Sequence, residues 1–179
     1  MIDKGCPLFG VGDAHTHVLK HDAVVNRYPG QSMPNGYIYS VGIHPWHVSQ
    51  ATDEQWGLLE RLAERPDVVA IGEAGLDKLC DTPWNEQVEA FYRHIVISER
   101  LAKPLIIHNV RANQEILDAH SKFRPVQPWV IHGFRGKPQL AEMFLRRGIY
   151  LSFGAVCNAA TLDVVPPDRL LRESDESAE

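Results

Sequence analysis

His15 and His17 stand two residues apart in Asp13-Ala14-His15-Thr16-His17, directly after an apolar run from Phe9 to Ala14. On an extended strand, residues i and i+2 project from one face, so both imidazoles can bind the same cation. Two more histidines, His108 and His132, each end a short aliphatic run, Leu105-Ile106-Ile107 and Val130-Ile131. Taken singly, either reads equally well as a satisfied core histidine; beside the His-x-His pair they form a set. Glu73 lies in Ala70-Ile71-Gly72-Glu73-Ala74-Gly75-Leu76-Asp77, a carboxylate between glycines at the end of an apolar run. Buried there, it needs a cation or several donors. Asp175, in Leu171-Arg172-Glu173-Ser174-Asp175, sits in an acid-rich stretch and reads with equal ease as a ligand or as a solvated acid.

Four histidines with Glu73 and Asp175 make a mixed nitrogen and oxygen donor set adequate for two divalent cations. Ligand softness favours Zn, Mn or Fe over Cu(I), with Mg less well served by so few oxygens. Two cations about 3.5–4 Å apart can share a carboxylate and a water, lower that water's pKa and stabilise a leaving oxygen. This is the chemistry of a hydrolase.

The elements that must position these groups are short apolar runs rich in β-branched residues: Phe9 to Ala14, Tyr37 to Ile43, Val68 to Gly72, Leu105 to Ile107, Trp129 to Ile131, Ile149 to Phe153 and Leu170 to Leu171. They give seven expected strands. Near-continuous apolar runs of this kind suit strands covered on both faces in a parallel sheet. Helices are expected over Thr52–Arg65, where Thr52 and Gln55 can form a capping box, and from Pro83 to about Ala102. Shorter ones are expected from about Ala112 to His120 and from Lys137 to Arg147, the last stopped by Gly148. Strand and helix in alternation imply right-handed βαβ units. The ligand-type residues fall at the C-terminal ends of the strands, the edge that carries the site in open α/β sheets and closed barrels alike. Periodicity does not choose between the two.

Composition narrows the setting. The chain has 179 residues, 44% hydrophobic and 23% charged, within the range of an ordinary globular protein, which excludes disordered and collagenous classes. Its three cysteines form no CxxC pair, so neither a disulfide framework nor a thiolate zinc site is indicated, and a reducing compartment is expected. No run approaches a membrane span and Met1 to Gly5 lacks the basic start of a leader, so the expected location is the cytoplasm, without a membrane or an obligate protein partner. A net charge of −5 argues against coating a nucleic acid by general phosphate neutralisation; any grip on a polyanion must be local. His94 and His120 fall on helical patterns and His21 in a polar stretch, so all three read as surface residues. Trp46, Trp84 and Trp129 could each stack a base, but core packing is the simpler assignment, with Trp46 the best exception.

The motifs DAHTHV (13–18), GIHPW (42–46), AIGEAGLD (70–77), KPLIIH (103–108), VIHGF (130–134), YLSFG (150–154) and LLRESD (170–175) resemble, in order and over nearly the whole chain, those of the TatD family of metal-dependent deoxyribonucleases, a branch of the amidohydrolase-like hydrolases. The resemblance implies an α/β fold, a TIM-type (β/α) barrel. It implies two divalent cations, Zn, Mn or Mg, one held by His15, His17 and Asp175 and the other by His108 and His132, with Glu73 between them. It implies a nuclease that cleaves phosphodiester bonds at DNA ends or in single-stranded DNA, with a bridging hydroxide as nucleophile and Asp175 orienting it or taking its proton. His44 then faces the scissile phosphate. His47 is a secondary helper, since Trp46 stands where a second histidine often stands, and Arg111 meets a phosphate oxygen. The same ligand set would serve a hydrolase of a small phosphoester, amide or lactone, or a family member that binds metal without turnover. Tyr28 to Gly36 leaves little room for a second strand and helix, and the sequence ends at Glu179. The expectation is therefore one hydrolase domain over residues 1–175, reduced to seven strands and without a closing C-terminal helix, followed by a frayed acidic tail at 176–179.

Overall fold

The computed structural model describes residues 6–177. Eight strands lie in sequence order in one sheet: β1 (Asp13–Thr16), β2 (Ala23–Arg27), β3 (Ile38–Val41), β4 (Val68–Asp77), β5 (Leu105–Val110), β6 (Trp129–Ile131), β7 (Tyr150–Phe153) and β8 (Leu170–Arg172). Every adjacent pair from β1–β2 to β7–β8 is parallel. Residues just beyond β8 close the seam against β1. Asp175 N donates to His15 O at 3.0 Å and His17 N donates to Glu176 O at 2.8 Å. The result is the expected TIM-type (β/α) barrel.

Its inside is built in two levels. Ala14, Val24, Ala70, Ile106, Val130, Tyr150 and Leu171 form an apolar plug with Cys6 and Leu8, while the strands' alternate residues, such as Val41, Ile71, Leu105, Ile107, Trp129 and Leu151, face outward into the main core. Two-residue alternation then carries Ile106 on to His108 and Val130 on to His132, so both imidazoles enter the barrel above the plug. The same parity would send His15 and Glu73 outward. Register shifts between Asp13 and Thr16 in β1 and between Ile71 and Ala74 in β4 coincide with these two residues and turn them in.

Outside the sheet lie α1 (Asp53–Ala63), α2 (Trp84–Leu101), α3 (Asn113–Phe123), α4 (Pro138–Leu145) and a short α5 (Ala159–Leu162), with a 3-10 turn over Pro45–Gln50. Thr52 and Gln55 make the expected capping box on α1. Among the described residues, no helix is long and apolar enough to cross a membrane.

Three expectations need correcting. The strand count is eight, because β2 was not anticipated. Its apolar part is only Ala23-Val24-Val25, and it continues into Asn26 and Arg27, both buried. Their polar groups are satisfied inside the barrel: Asn26 donates to Ser40 Oγ and Gly72 O, and Arg27 to the carbonyls of His17, Asn26 and Ser32. A search for apolar runs passes over a strand whose burial is carried by hydrogen bonds. Second, His94 is not a surface residue. It is fully buried, its Nε2 accepting from Ile43 N at 3.0 Å and its Nδ1 donating to Ala90 O at 2.7 Å. His120 is half-buried, edge-on to Trp129. Third, Glu176, expected in the tail, is tied to His17. Residues 1–5 and 178–179, on which the leader reading and the rest of the tail fall, lie outside the described residues.

Candidate metal centre

Glu73 is the middle of the cluster. Its Oε1 lies 2.8 Å from His108 Nδ1 and 2.6 Å from His132 Nε2, while its Oε2 lies 3.4 Å from His15 Nε2 and 3.6 Å from His17 Nε2. These four histidines are therefore divided in pairs between the two carboxylate oxygens. Asp175 Oδ1 stands 3.6 Å from His15 Nε2 and 3.5 Å from His17 Nε2, on the side of the first pair. Donor atoms of His15, His17 and Glu73 fall within 4.8 Å of one another, as do those of His15, His132 and Asp175, and those of His44, Glu73 and His108. All six side chains marked as ligands in the sequence thus meet at the C-terminal rim of the barrel.

The strands that bring them together are packed unusually close. A methyl group added at Gly75 would lie 2.0 Å from His108 O, and one at Gly72, where φ is +124°, would lie 2.3 Å from Ile106 O. Glycine at both positions lets β4 run against β5. Asp175 holds φ +52°, a conformation Asp tolerates better than most residues, and its backbone is pinned there by the bond to His15 O.

Electrostatics agree with a site for positive charge. Burial alone would raise the Glu73 carboxyl, but the facing His132, the hydrogen bonds from His108 and His132 and the nearby His15 ring outweigh it and hold the group well below the ordinary carboxylate range. Burial alone would lower His132, yet the Glu73 and Glu173 carboxylates raise it well above the usual histidine value. Asp175 is lowered too, desolvation being overcome by His17, His132 and His15. His15 is completely buried and, among the described residues, neither of its ring nitrogens has a hydrogen-bond partner. A buried imidazole with both nitrogens unmatched, one of them aimed between two carboxylates, fits a cation ligand.

His44 plays a different part. Its Nδ1 accepts from Trp46 N at 3.2 Å, which leaves the proton on Nε2, 3.4 Å from Glu73 Oε1. Burial holds its pKa below the usual value despite Glu73, so the ring is neutral and offers an N–H to the site rather than a lone pair. His47 is exposed on the rim of the same 450 Å³ cleft, with no contact to Glu73. Arg111, at φ +56°, lines a second cleft of 380 Å³ together with His108, His132 and Asp175.

Sequence reasoning missed three groups. Arg135, after β6, lines the Arg111 cleft. Asp77 and Glu173 back the outward nitrogens of two histidines: Asp77 Oδ2 is 3.2 Å from His108 Nε2, and Glu173 Oε1 is 3.5 Å from His132 Nδ1. A metal-binding histidine is commonly oriented by such a carboxylate. The signal was available, since Asp77 closes AIGEAGLD and Glu173 sits in LLRESD, but it requires knowing that β4 runs on to Asp77 and that parity points Glu173 inward.

The family model described as TatD related DNase matches residues 13–176. The chain belongs to the TatD DNase family. A relative from Cronobacter turicensis, named 3'-5' ssDNA/RNA exonuclease TatD, is 38% identical over 154 residues, 76% of this chain and 56% of that protein. An uncharacterized metal-dependent hydrolase TatD from Mycobacterium tuberculosis is 31% identical over 150 residues, again 76% of this chain and 56% of the relative. Among solved structures, a TatD homologue from Escherichia coli aligns with a TM-score of 0.74 at 25% identity, covering 93% of this chain and 68% of the other. This TatD-family chain spans a little over half the length of the curated relatives it matches.

Proposed function

We propose that this chain holds two divalent cations, Zn, Mn or Mg, and hydrolyses phosphodiester bonds at the ends of single-stranded DNA. The observation that carries the reading is the division of Glu73, one oxygen toward His108 and His132 and the other toward His15 and His17. His15, His17 and Asp175 would hold one ion and His108 and His132 the other, with Glu73 shared. Bound cations supply Lewis acidity at the phosphate and make a water acidic enough to attack at neutral pH. Asp175, ionised and on the cleft wall, would orient the attacking water and take up its proton. His44 donates its Nε2–H to a phosphate oxygen as charge builds there. Arg111 and Arg135 attract the flanking phosphates, which offsets the overall charge of −5 by a local field. The names of the relatives support the polynucleotide substrate over a small ester.

The test is an assay of metal-loaded protein on end-labelled single-stranded DNA beside a His15→Ala/His17→Ala double variant. Turnover well above that of the variant is expected. Equal rates would refute the nuclease reading, and hydrolysis of small phosphoesters alone would move the substrate to that class.

A further inference from the structure

A 710 Å³ cleft adjoins the metal centre, walled by Trp46, Asp77, Leu79, Asp81 and Val110. Two of its walls are large apolar side chains left open to solvent, Trp46 at 56% and Leu79 at 61% exposure. Single exposed apolar residues are ordinary, but two sharing one concave surface at a site's edge suggest a ligand. Trp46 is not free to swing. Its indole Nε1 donates to Asp77 Oδ2 at 2.8 Å, and its ring meets His44 edge-on at 4.7 Å. Asp77 is itself immobilised: it is buried, its Oδ1 accepts from Leu79 N, and its backbone N and O are both bound by the Gln87 side chain. The oxygen that grips Trp46 is also the one 3.2 Å from His108 Nε2, so the platform and the metal centre are joined through a single atom.

Charge assigns the clefts. The Trp46 cleft is lined by the carboxylates of Asp77 and Asp81 and by no Lys or Arg, so it repels phosphate and suits a neutral aromatic group. The neighbouring cleft that His108 itself lines carries Arg111 and Arg135 and suits the phosphates. We infer that the Trp46 cleft is a subsite for an unpaired nucleobase next to the scissile phosphate, with Trp46 as its stacking face and Asp77 as the positioning residue that fixes that face relative to His108. A base in a duplex is stacked on both sides and cannot present itself to this indole, so the subsite selects single strands. The inference rests on the nuclease reading for the identity of the ligand.

The experiment is a double-mutant cycle with Trp46→Leu, read on two single-stranded oligonucleotides, one intact and one abasic at the terminal nucleotide. Stacking of one base on an aromatic ring corresponds to roughly 5- to 150-fold in affinity. Trp46→Leu is expected to raise KM on the intact strand by about that factor, with a smaller change in kcat, and the wild type should lose the same factor on the abasic strand. The two losses should not add. Equal KM for wild type and variant, or equal losses on both strands, would overturn the subsite. In parallel, the fluorescence difference between wild type and Trp46→Leu is titrated with both oligonucleotides in the presence of Mn. Base-dependent quenching without any turnover would retain the subsite and reject the nuclease reading; turnover without base-dependent quenching would do the reverse. Asp77→Asn should leave the fold intact by circular dichroism, weaken base-dependent quenching, and lower Mn affinity by about 10-fold in calorimetry, since orienting partners of metal histidines act at that scale. Unchanged values for both would remove Asp77 from the positioning role.

Discussion

His94 lies outside the reacting centre, yet it holds the backbone that leads into His44. Ile43 N donates to its Nε2, and its own Nδ1–H is used on Ala90 O, so the ring must be neutral to make both bonds. Full burial pushes its pKa down to about 4 from a usual value of 6.5. A histidine lowered in the folded state leaves stability intact above 6.5, where both states are neutral. It removes stability as pH falls toward 4, where only the unfolded chain takes up the proton. A difference of about 2.5 pH units corresponds to about 3 kcal/mol. We expect urea unfolding of metal-stripped protein to show this as a difference curve between wild type and His94→Gln. Glutamine removes the titration, and its lost packing against Trp56, 5.3 Å away, is a constant offset. Wild type should lose its advantage over the variant between pH 6.5 and 4, at a slope near 1.4 kcal/mol per pH unit. A difference curve that stays flat through that range would refute the neutral, fully desolvated His94 described above.

Other outcomes follow from the same geometry. Because His132 is raised well above the usual histidine value when facing Glu73 and Glu173, cation uptake must displace a proton. Calorimetry in buffers of different ionisation enthalpy should show proton release and an affinity that rises with pH. Gly75→Ala places a methyl group against His108 O and should either force β4 from β5 or prevent folding. A folded product should bind Mn at least tenfold more weakly in the same titration. Asp13→Asn should cost about 2 kcal/mol at pH 7, the scale of hydrogen bonds to a buried charge. The Asp13 carboxyl, desolvated but more strongly held by Ser174 and Lys20, is lowered below its usual value. That contribution is complete above about pH 4 and is lost as pH falls through the depressed value, so denaturation curves of wild type and variant should converge in acid.

What could be read from the sequence was what repeats a simple physical signal. His108 and His132 ended aliphatic runs, and two-residue alternation does carry them inward. Thr52 and Gln55 spelled the cap of α1 in side-chain chemistry alone. The rest depended on contacts remote in sequence. β2 is buried by hydrogen bonds to Ser40 and Gly72 rather than by apolar content, so no local pattern announces it. His94 looks like any polar residue on a helix until Ile43 N, fifty-one positions away, is known to need an acceptor. His15 and Glu73 were placed in the site for a reason the structure revises. Strand parity brings His15 and His17 to one face, but only the register shifts in β1 and β4 make that face the inner one.

Those shifts bear on how the site is held. β1 and β8 share no ladder comparable to those between the other neighbours. The seam is carried by Asp175 N on His15 O, by His17 N on Glu176 O, and by the Asp13 carboxylate, which takes Ser174 N at 2.9 Å and Ser174 Oγ at 2.6 Å. Three of the residues in these bonds, His15, His17 and Asp175, are the ones proposed to hold a single cation. Closure of the barrel and assembly of that half of the proposed centre therefore use the same residues, and a cation held by them would cross-link the barrel's least paired edge. His108 lies within the paired stretch of β4 and β5, and His132, just beyond β6, is tied to β5 by its N donating to Ile107 O at 3.2 Å. The proposed centre would then be asymmetric, its His108 and His132 half resting on paired strands and its His15, His17 and Asp175 half gaining order from a bound cation.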